Sequence, residues 1–547
     1  MSSSPTPETE TPFICASNPW LEIECREQEF YKEHNGRQYC IFHFPGNKSG
    51  FWEAVNDRLK RHNFNFQGVW FPSSWDFQHA KFTKDVNFER AHFEGEVDFS
   101  GASFDGGANF SHCSFNGGAC FHDVTFNLAT FEGSTFRIAA QFSLTTFFDR
   151  TSFRNCKFDG GASFTQAKFV SEVDFLGTSF HRELPSGFEG EIDCADFARA
   201  TFGGPVEFGI ARFKNSVRFT EAKFQATVDL SNGTYDNRAD FSFCKFTSVT
   251  FLHSKFKRKA DFRNSSFDLF LQFASASFDD DLDLTDSRFG GLADFTHAGF
   301  RSHVRFSGGA ENPAYYSSSN LNLQFATFDK PEYVSFHSVT LHPHWFVNVD
   351  PRKFDFINIF WRNYGDTELE LEFLEHKNIQ SRYRLLVIAC RRLAANAEEN
   401  DRFRMASRFR RMAMDAERLE NWRGFDFRKL NTWYWLVSGY GESAFRALLV
   451  LLSLWIVAAL LYTGVGFARW EPKVATEADA VLAKRDEVGA PLPFKRALTY
   501  SLGVMTLQKP EPKPATSTAQ AIVLLETILG PILAALLALA IRRKFMR

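Results

Sequence analysis

Cys15, Cys25, Cys40 and His43 form a cysteine and histidine cluster within residues 14–43. Three thiolates and an imidazole are a donor set for tetrahedral zinc. The C-x2-H spacing of Cys40 and His43 lets two ligands reach one ion, and Cys15 and Cys25 would complete the set, although the tight C-x2-C knuckle is missing. The other reading is three small hydrophobes and a surface histidine around a cap. Glu526 is the second candidate, because a carboxylate inside a long apolar run must face protein or water and take a partner. Lys509 or the hydroxyl of Thr506 could serve, unless Glu526 lies shallowly enough to reach the outer interface. His342 and His344, at i and i+2, read as surface or packed residues rather than ligands. There is no nucleophile, base and orienting acid in sequence, and no phosphate-cradling glycine loop, so no enzymatic activity is expected.

The elements that must carry these groups are written mostly in phenylalanine, 66 of the 547 residues. Phe66, Phe71, Phe77, Phe82, Phe88, Phe93, Phe99, Phe104, Phe110, Phe115 and Phe121 alternate steps of five and six. On a helix those steps would scatter the rings over two stripes, and on a continuous strand a five-residue step would reverse the face. The pattern suits a chain that turns a corner between one Phe and the next, a solenoid. Two residues before each Phe stands a small or β-branched side chain, as in Val97-Asp98-Phe99, Ala102-Ser103-Phe104, Ala162-Ser163-Phe164 and Ala239-Asp240-Phe241.

Tandem small-(Asp/Asn)-(Leu/Phe)-x-x units of this kind resemble the pentapeptide-repeat family. The resemblance implies a mainly β fold, a right-handed quadrilateral β-helix with the Phe and the small residue pointing inward. With about 22 residues per coil and strands stacked at ~4.8 Å, eleven coils would make a rod roughly 50 Å long. The layout is then a cap over residues 1–65, with a helix near 51–61 and a possible zinc site. The β-helix follows over 66–345, and a closing segment over 346–375. The ladder slips at residues 181–196, around Pro185, Gly187 and Gly190, and at 307–322, around Pro313, Tyr315 and Tyr316. Such insertions are sites for a cytoplasmic protein partner or tolerated surface loops. Some family members imitate DNA. The mild net charge of −3 and the membrane segments below argue against that role, and no nucleic-acid partner is expected.

Residues 1–13 lack a basic start and an apolar core, so no secretory signal is read there, and the nine cysteines suit a reducing compartment. Residues 376–430 hold two amphipathic helices with fourteen basic against seven acidic residues, a pair fitted to an anionic leaflet. A membrane domain over 431–547 follows. Its spans are residues 445–467 and 519–541, each long enough for a ~30 Å hydrocarbon core. Arg423, Arg428, Lys429 and Arg446 precede the first span, and Arg542, Arg543, Lys544 and Arg547 follow the second. Both termini are therefore expected on the cytoplasmic side of an inner membrane, and the loop 468–518 outside.

Residues 493–507 are amphipathic and too short to cross. A span, a re-entrant helix and a second span resemble the pore domain of two-transmembrane potassium channels, and a pentapeptide-repeat chain fused to such a pore resembles a bacterial arrangement; Ser438-Gly439-Tyr440-Gly441-Glu442 before the first span fits that group. The resemblance implies a homo-oligomer, a tetramer. It fails at the filter. Thr506-Leu507-Gln508-Lys509-Pro510-Glu511-Pro512-Lys513-Pro514 has no glycine, and its alternate prolines dictate an extended path. Potassium selectivity should be absent, with Thr506, Gln508, Lys509, Glu511 and Lys513 as candidates for a pore mouth. Gly530-Pro531 is expected to kink the second span. The preferred reading is an oligomeric membrane protein with a pore-loop module and a cytoplasmic partner-binding rod. The alternative is a non-conducting, membrane-anchored scaffold.

Overall fold

The computed structural model describes residues 13, 15, 16, 25, 29–183, 193–308, 320–362, 379–420, 428–441, 443–468 and 491–545. The insertions at 184–192 and 309–319, the closing segment from 363 on, Arg423, Glu442, the loop 469–490 and Arg547 lie outside them. The chain divides into two compact units, Met1–Asp366 and Thr367–Arg547.

The first unit is a parallel β-solenoid of about twelve turns. Short strands stack into a twelve-stranded sheet, a thirteen-stranded sheet and a sixteen-stranded sheet. The last of these merges two faces, because strands such as Ser103–Asn109, Thr125–Thr130 and Lys223–Asp229 run straight through a corner. The register repeats coil after coil: Phe93 lies opposite Phe71 on one side and Phe115 on the other. The rings follow the backbone spacing. Phe93 and Phe115 stack at 4.9 Å with planes 1° apart, and Phe115 and Phe136 at 4.5 Å. Between columns they meet edge to face, as Phe110 meets Phe121 at 5.6 Å and 82°. Each ring contributes on the order of 1.5–3 kcal/mol by burial and roughly 0.5–1.5 kcal/mol more per aromatic pair.

The alternation of five and six residues has a local cause. In the five-residue step from Phe77 to Phe82, the Ala80 N–H donates to the Phe77 carbonyl at 3.1 Å, and His79 takes φ 55°. That left-handed third residue marks a tight turn, repeated at Arg90 and His112. The acidic residue before the Phe holds the turn: Asp76 Oδ1 accepts the Gln78 N–H, and Asp98 Oδ1 the Ser100 N–H, both at 2.8 Å. The six-residue corners stack backbone on backbone instead. A Cβ on Gly117 would stand 2.2 Å from the Gly95 carbonyl carbon.

The repeat cysteines serve this architecture. Cys113, Cys156 and Cys244 are buried and donate to the Phe88, Phe131 and Phe219 carbonyls of preceding coils at 2.9–3.0 Å, and burial pushes their thiols upward. They are inert packing groups. Helix α1 (Phe51–Lys60) closes the first coil by setting Phe51 against Phe71 and Trp75.

At the far end the coil runs on past residue 345, correcting the sequence boundary. Strands Asp355–Ile357 and Phe360–Trp361 pair with Val334–His337 and Thr340–Leu341. His342 and His344 are buried in the turn around Pro343–Phe346. Burial pulls His342 down to about 4, aided by Arg362, and His344 to about 3, aided by His342. Both are therefore neutral when folded. Above pH 6.5 neither state holds the extra proton and stability is full; as pH falls toward the folded values, only the unfolded chain gains it and stability drops. Acidification from about pH 7 to about pH 5 should cost roughly 2 kcal/mol at His344. Hydrogen exchange of residues 334–361, corrected for intrinsic rates, reads this directly. Unchanged protection would refute neutral burial.

The second unit is helical. Helices α2 (Ile379–Glu399) and α3 (Phe403–Leu419) form an antiparallel hairpin, as the pairs Arg384–Glu420, Arg391–Glu417 and Arg410–Glu398 show. Leu386, Cys390 and Leu393 of α2 and Phe409 and Met412 of α3 are all buried. Helices α4 (Leu430–Ser438), α5 (Ala444–Tyr462), α6 (Phe494–Met505) and α7 (Ser517–Phe545) follow. Two of these, α5 and α7, are long and apolar enough to cross a membrane. The first ends at Tyr462, not 467, because the chain turns at Thr463 and Gly464 and buries Phe467. Helix α7 runs without a break through Pro531. Gly530 is the point of close approach to α6, since a Cβ there would stand 3.1 Å from Met505 Cα.

Candidate metal centre and buried interhelical carboxylate

The four amino-terminal ligand candidates converge. Their donor atoms all lie within 4.8 Å of one another. Cys25 Sγ is 3.5 Å from Cys40 Sγ, Cys40 Sγ 3.2 Å from His43 Nδ1, and Cys15 Sγ 3.6 Å from His43 Nδ1. A sulfur pair at 3.5 Å is far outside disulfide length. Bonds of ~2.3 Å to sulfur and ~2.0 Å to nitrogen give a tetrahedron edges of roughly 3.5–3.8 Å, so the set fits zinc. The positioning is local. Cys40 ends the hairpin Lys32–His34 and Arg37–Tyr39, and its own N–H points at Cys15 Sγ at 3.3 Å. His43 turns its other nitrogen, Nε2, to the Gln67 carbonyl of the first coil at 3.1 Å, which orients Nδ1 toward the thiols.

The electrostatics match a cation cage. Hydrogen bonds from Cys25 and Cys40 hold the Cys15 thiol strongly toward thiolate, while Cys15 and Cys40 push Cys25 upward. Burial opposes a charge on His43, but the Cys15 and Cys40 sulfurs outweigh it and raise the ring to about 9. Burial draws Lys48 down to about 7 against the pull of Cys40 and Cys15; its amine bonds the Phe42 and Trp70 carbonyls at 2.7 Å. A cage that draws a proton onto imidazole exchanges such protons for a divalent ion.

Glu526 is 2 % exposed, and its partners differ from both sequence candidates. Tyr462 of α5 donates to Oε2 at 2.5 Å, and Ser501 of α6 donates to Oε1. Neither Lys509 nor Thr506 reaches it, because Thr506 donates to the Leu502 carbonyl of its own helix at 2.9 Å. Around the carboxylate, Ala458, Ala459, Tyr462, Phe467, Ala497, Tyr500 and Val504 form one cluster. Trp455 Nε1 adds a bond to the Leu498 carbonyl at 3.0 Å. Tyr462 and Ser501 carried no sequence signal beyond being hydroxyls in apolar runs.

The pore-mouth candidates stay apart from Glu526. Thr506, Gln508, Lys509, Glu511 and Lys513 are exposed in the protomer. Helix α6 closes in a Schellman cap: Leu507 takes φ 59°, its N–H meets the Val504 carbonyl at 3.0 Å, and the Gln508 N–H meets Gly503 at 2.9 Å. The chain then bonds back to the segment that follows α5, with Ala468 N–H to the Lys513 carbonyl and Ala515 N–H to the Gly466 carbonyl.

The family model described as pentapeptide repeats (9 copies) matches residues 66–114 and 77–125. A solved structure of trypsin-treated QnrB1, a plasmid-mediated fluoroquinolone resistance protein, is similar over 55 % of this chain and 96 % of its own, at 13 % identity and a TM-score of 0.13. No curated protein matches. Residues 70–361 thus form a parallel β-solenoid whose first coils, within residues 66–125, match the pentapeptide-repeat model, followed by helices of which two are apolar enough to span a membrane.

Proposed function

We propose that the chain is an oligomeric membrane protein in which a pore-loop module anchors a cytoplasmic, partner-binding solenoid. Helix α6 carries this reading. Its 12 residues reach only ~18 Å, too short for a ~30 Å core, and it is wedged between two span-length helices by Ser501, Glu526 and Tyr462. The segment after it lacks the glycines of a potassium filter, so any conduction is not potassium-selective. Lys509, Glu511 and Lys513 then line its mouth. The termini face the cytoplasm of an inner membrane, and the rod offers its outer faces to a protein partner, not to nucleic acid. Cys15, Cys25, Cys40 and His43 hold one structural zinc that locks the cap to the first coil through Gln67.

A second reading has its own support. The Schellman cap takes up the Gly503 and Val504 carbonyls, and the bonds at 466–468 and 513–515 fold the loop onto its own span, as suits a non-conducting scaffold. Planar-bilayer recording of the purified full chain, with its mass in detergent, separates the two. An oligomer with weakly selective currents is expected. Silent bilayers and a monomeric mass would leave the scaffold.

A further inference from the structure

Lys48 is not one of the four ligand candidates, yet the charges that act on it are theirs. Burial draws its amine down to about 7, and what opposes burial is the Cys40 and Cys15 sulfurs; among the described residues no carboxylate joins them. The amine is enclosed on three sides. Nζ donates to the Phe42 and Trp70 carbonyls, each at 2.7 Å, and stands 4.2 Å from the centre of the Phe51 ring. Two carbonyls and a π face match the three N–H groups of an ammonium, whereas a neutral amine has only two to give.

The other cations of the cap are engaged elsewhere. Arg58 of α1 lies over the Phe42 ring at 3.7 Å with Nη1 on the Asn65 carbonyl at 2.6 Å, and Lys32 lies over the rings of Tyr31 and Phe44 at 5.2 and 5.6 Å. Lys48 also sits on the seam between cap and first coil. The Trp70 N–H donates to the Phe42 carbonyl at 2.9 Å, so one ammonium holds both sides of that bond, next to the join that His43 makes at Gln67.

Three thiolates and a neutral imidazole around one divalent ion carry a net charge of −1. A partly buried charge of that kind needs a cation set against it. We propose that Lys48 is the counter-charge of the metal centre, its ammonium neutralising the set of Cys15, Cys25, Cys40, His43 and zinc and so fixing the affinity of that set for the ion. It acts through the thiolates and does not touch the metal, because a nearby positive charge favours anionic sulfur and thereby the ion that anionic sulfur holds. This inference rests on the zinc reading above.

The full chain in detergent is titrated with zinc against a chromophoric chelator, for the unsubstituted chain, Lys48→Met and Lys48→Arg. At saturating zinc, hydrogen exchange of Lys32–His34 and Arg37–Tyr39 reports whether each cap has folded. Lys48→Met, which keeps the length and loses the charge, should bind zinc roughly 10–100-fold more weakly, the usual cost of losing a group behind the ligands. Lys48→Arg, which keeps the charge, should stay within a few-fold of the unsubstituted chain. Equal affinity for Lys48→Met and the unsubstituted chain would overturn the counter-charge. Equal losses in the two variants would also overturn it, leaving Lys48 as a brace between Phe42 and Trp70. An unsubstituted chain that takes up no zinc would overturn the metal reading itself, and the counter-charge with it.

Discussion

Replacing Phe131 with alanine should cost the solenoid about 3–5 kcal/mol, the range for a buried aromatic cut down to a methyl in a core unable to collapse. Phe131 is fully buried, stacked on Phe110 at 5.0 Å and on Phe153 at 4.9 Å, and met edge-on by Phe121, Phe126 and Phe142. Its neighbours cannot fill the gap, because their backbones are pinned by ladder bonds such as the Phe131 N–H to Ser152 and the Phe110 N–H to Thr130, both at 2.7 Å. In a solenoid each coil touches only its neighbours, so the damage should be local at first. Hydrogen exchange of the full chain in detergent should show lost protection over residues 105–160, with the coils around Phe262 unchanged. Phe131→Leu is expected to cost far less, since Leu230 and Leu284 already occupy column positions and are buried. Equal losses for alanine and leucine would mean that the column is not held by ring contacts.

That ladder was readable because one residue type marks one structural position at a fixed period, and the parallel register then follows from equal coil lengths. The reason for the period was also in the sequence, in Asp76 and Asp98 before the Phe, although the left-handed turn that they brace shows only in the backbone. The helical unit was harder. Glu526 could be named as needing a partner, but the partners are 64 and 25 residues away on other helices, and no period links them. The polar residues Lys509 and Thr506 looked nearer in sequence, yet Thr506 donates to the Leu502 carbonyl of its own helix. The early end of α5 depended on where Phe467 packs, a tertiary matter. Helix α4 was hidden because its tryptophans and leucines blend into the apolar run that follows.

Stripping zinc should undo the cap while leaving the solenoid intact. Structural zinc sites of this donor type contribute apparent free energies of order 10 kcal/mol, far more than the small hairpin Lys32–His34 and Arg37–Tyr39 can supply by itself. The purified chain is therefore expected to carry about one equivalent of zinc, held by three thiolates and one imidazole. A strong chelator should expose Cys15, Cys25 and Cys40 to thiol reagents. Cys113, Cys156, Cys194, Cys244 and Cys390 are buried elsewhere and should stay unreactive. Cys40→Ser should lose the metal outright, for the Cys40 sulfur faces both Cys25 Sγ and His43 Nδ1 at the centre. Cys113→Ser should keep it, as its sulfur bonds only the Phe88 carbonyl. Binding should weaken as pH falls, because protons compete for the thiolates and for His43 Nδ1. Metal analysis of the intact chain decides the matter at its first step. A preparation with no zinc, whose thiol reactivity ignores the chelator, would reduce the four residues to a packed cap whose sulfurs merely happen to sit 3.2–3.6 Å from their neighbours.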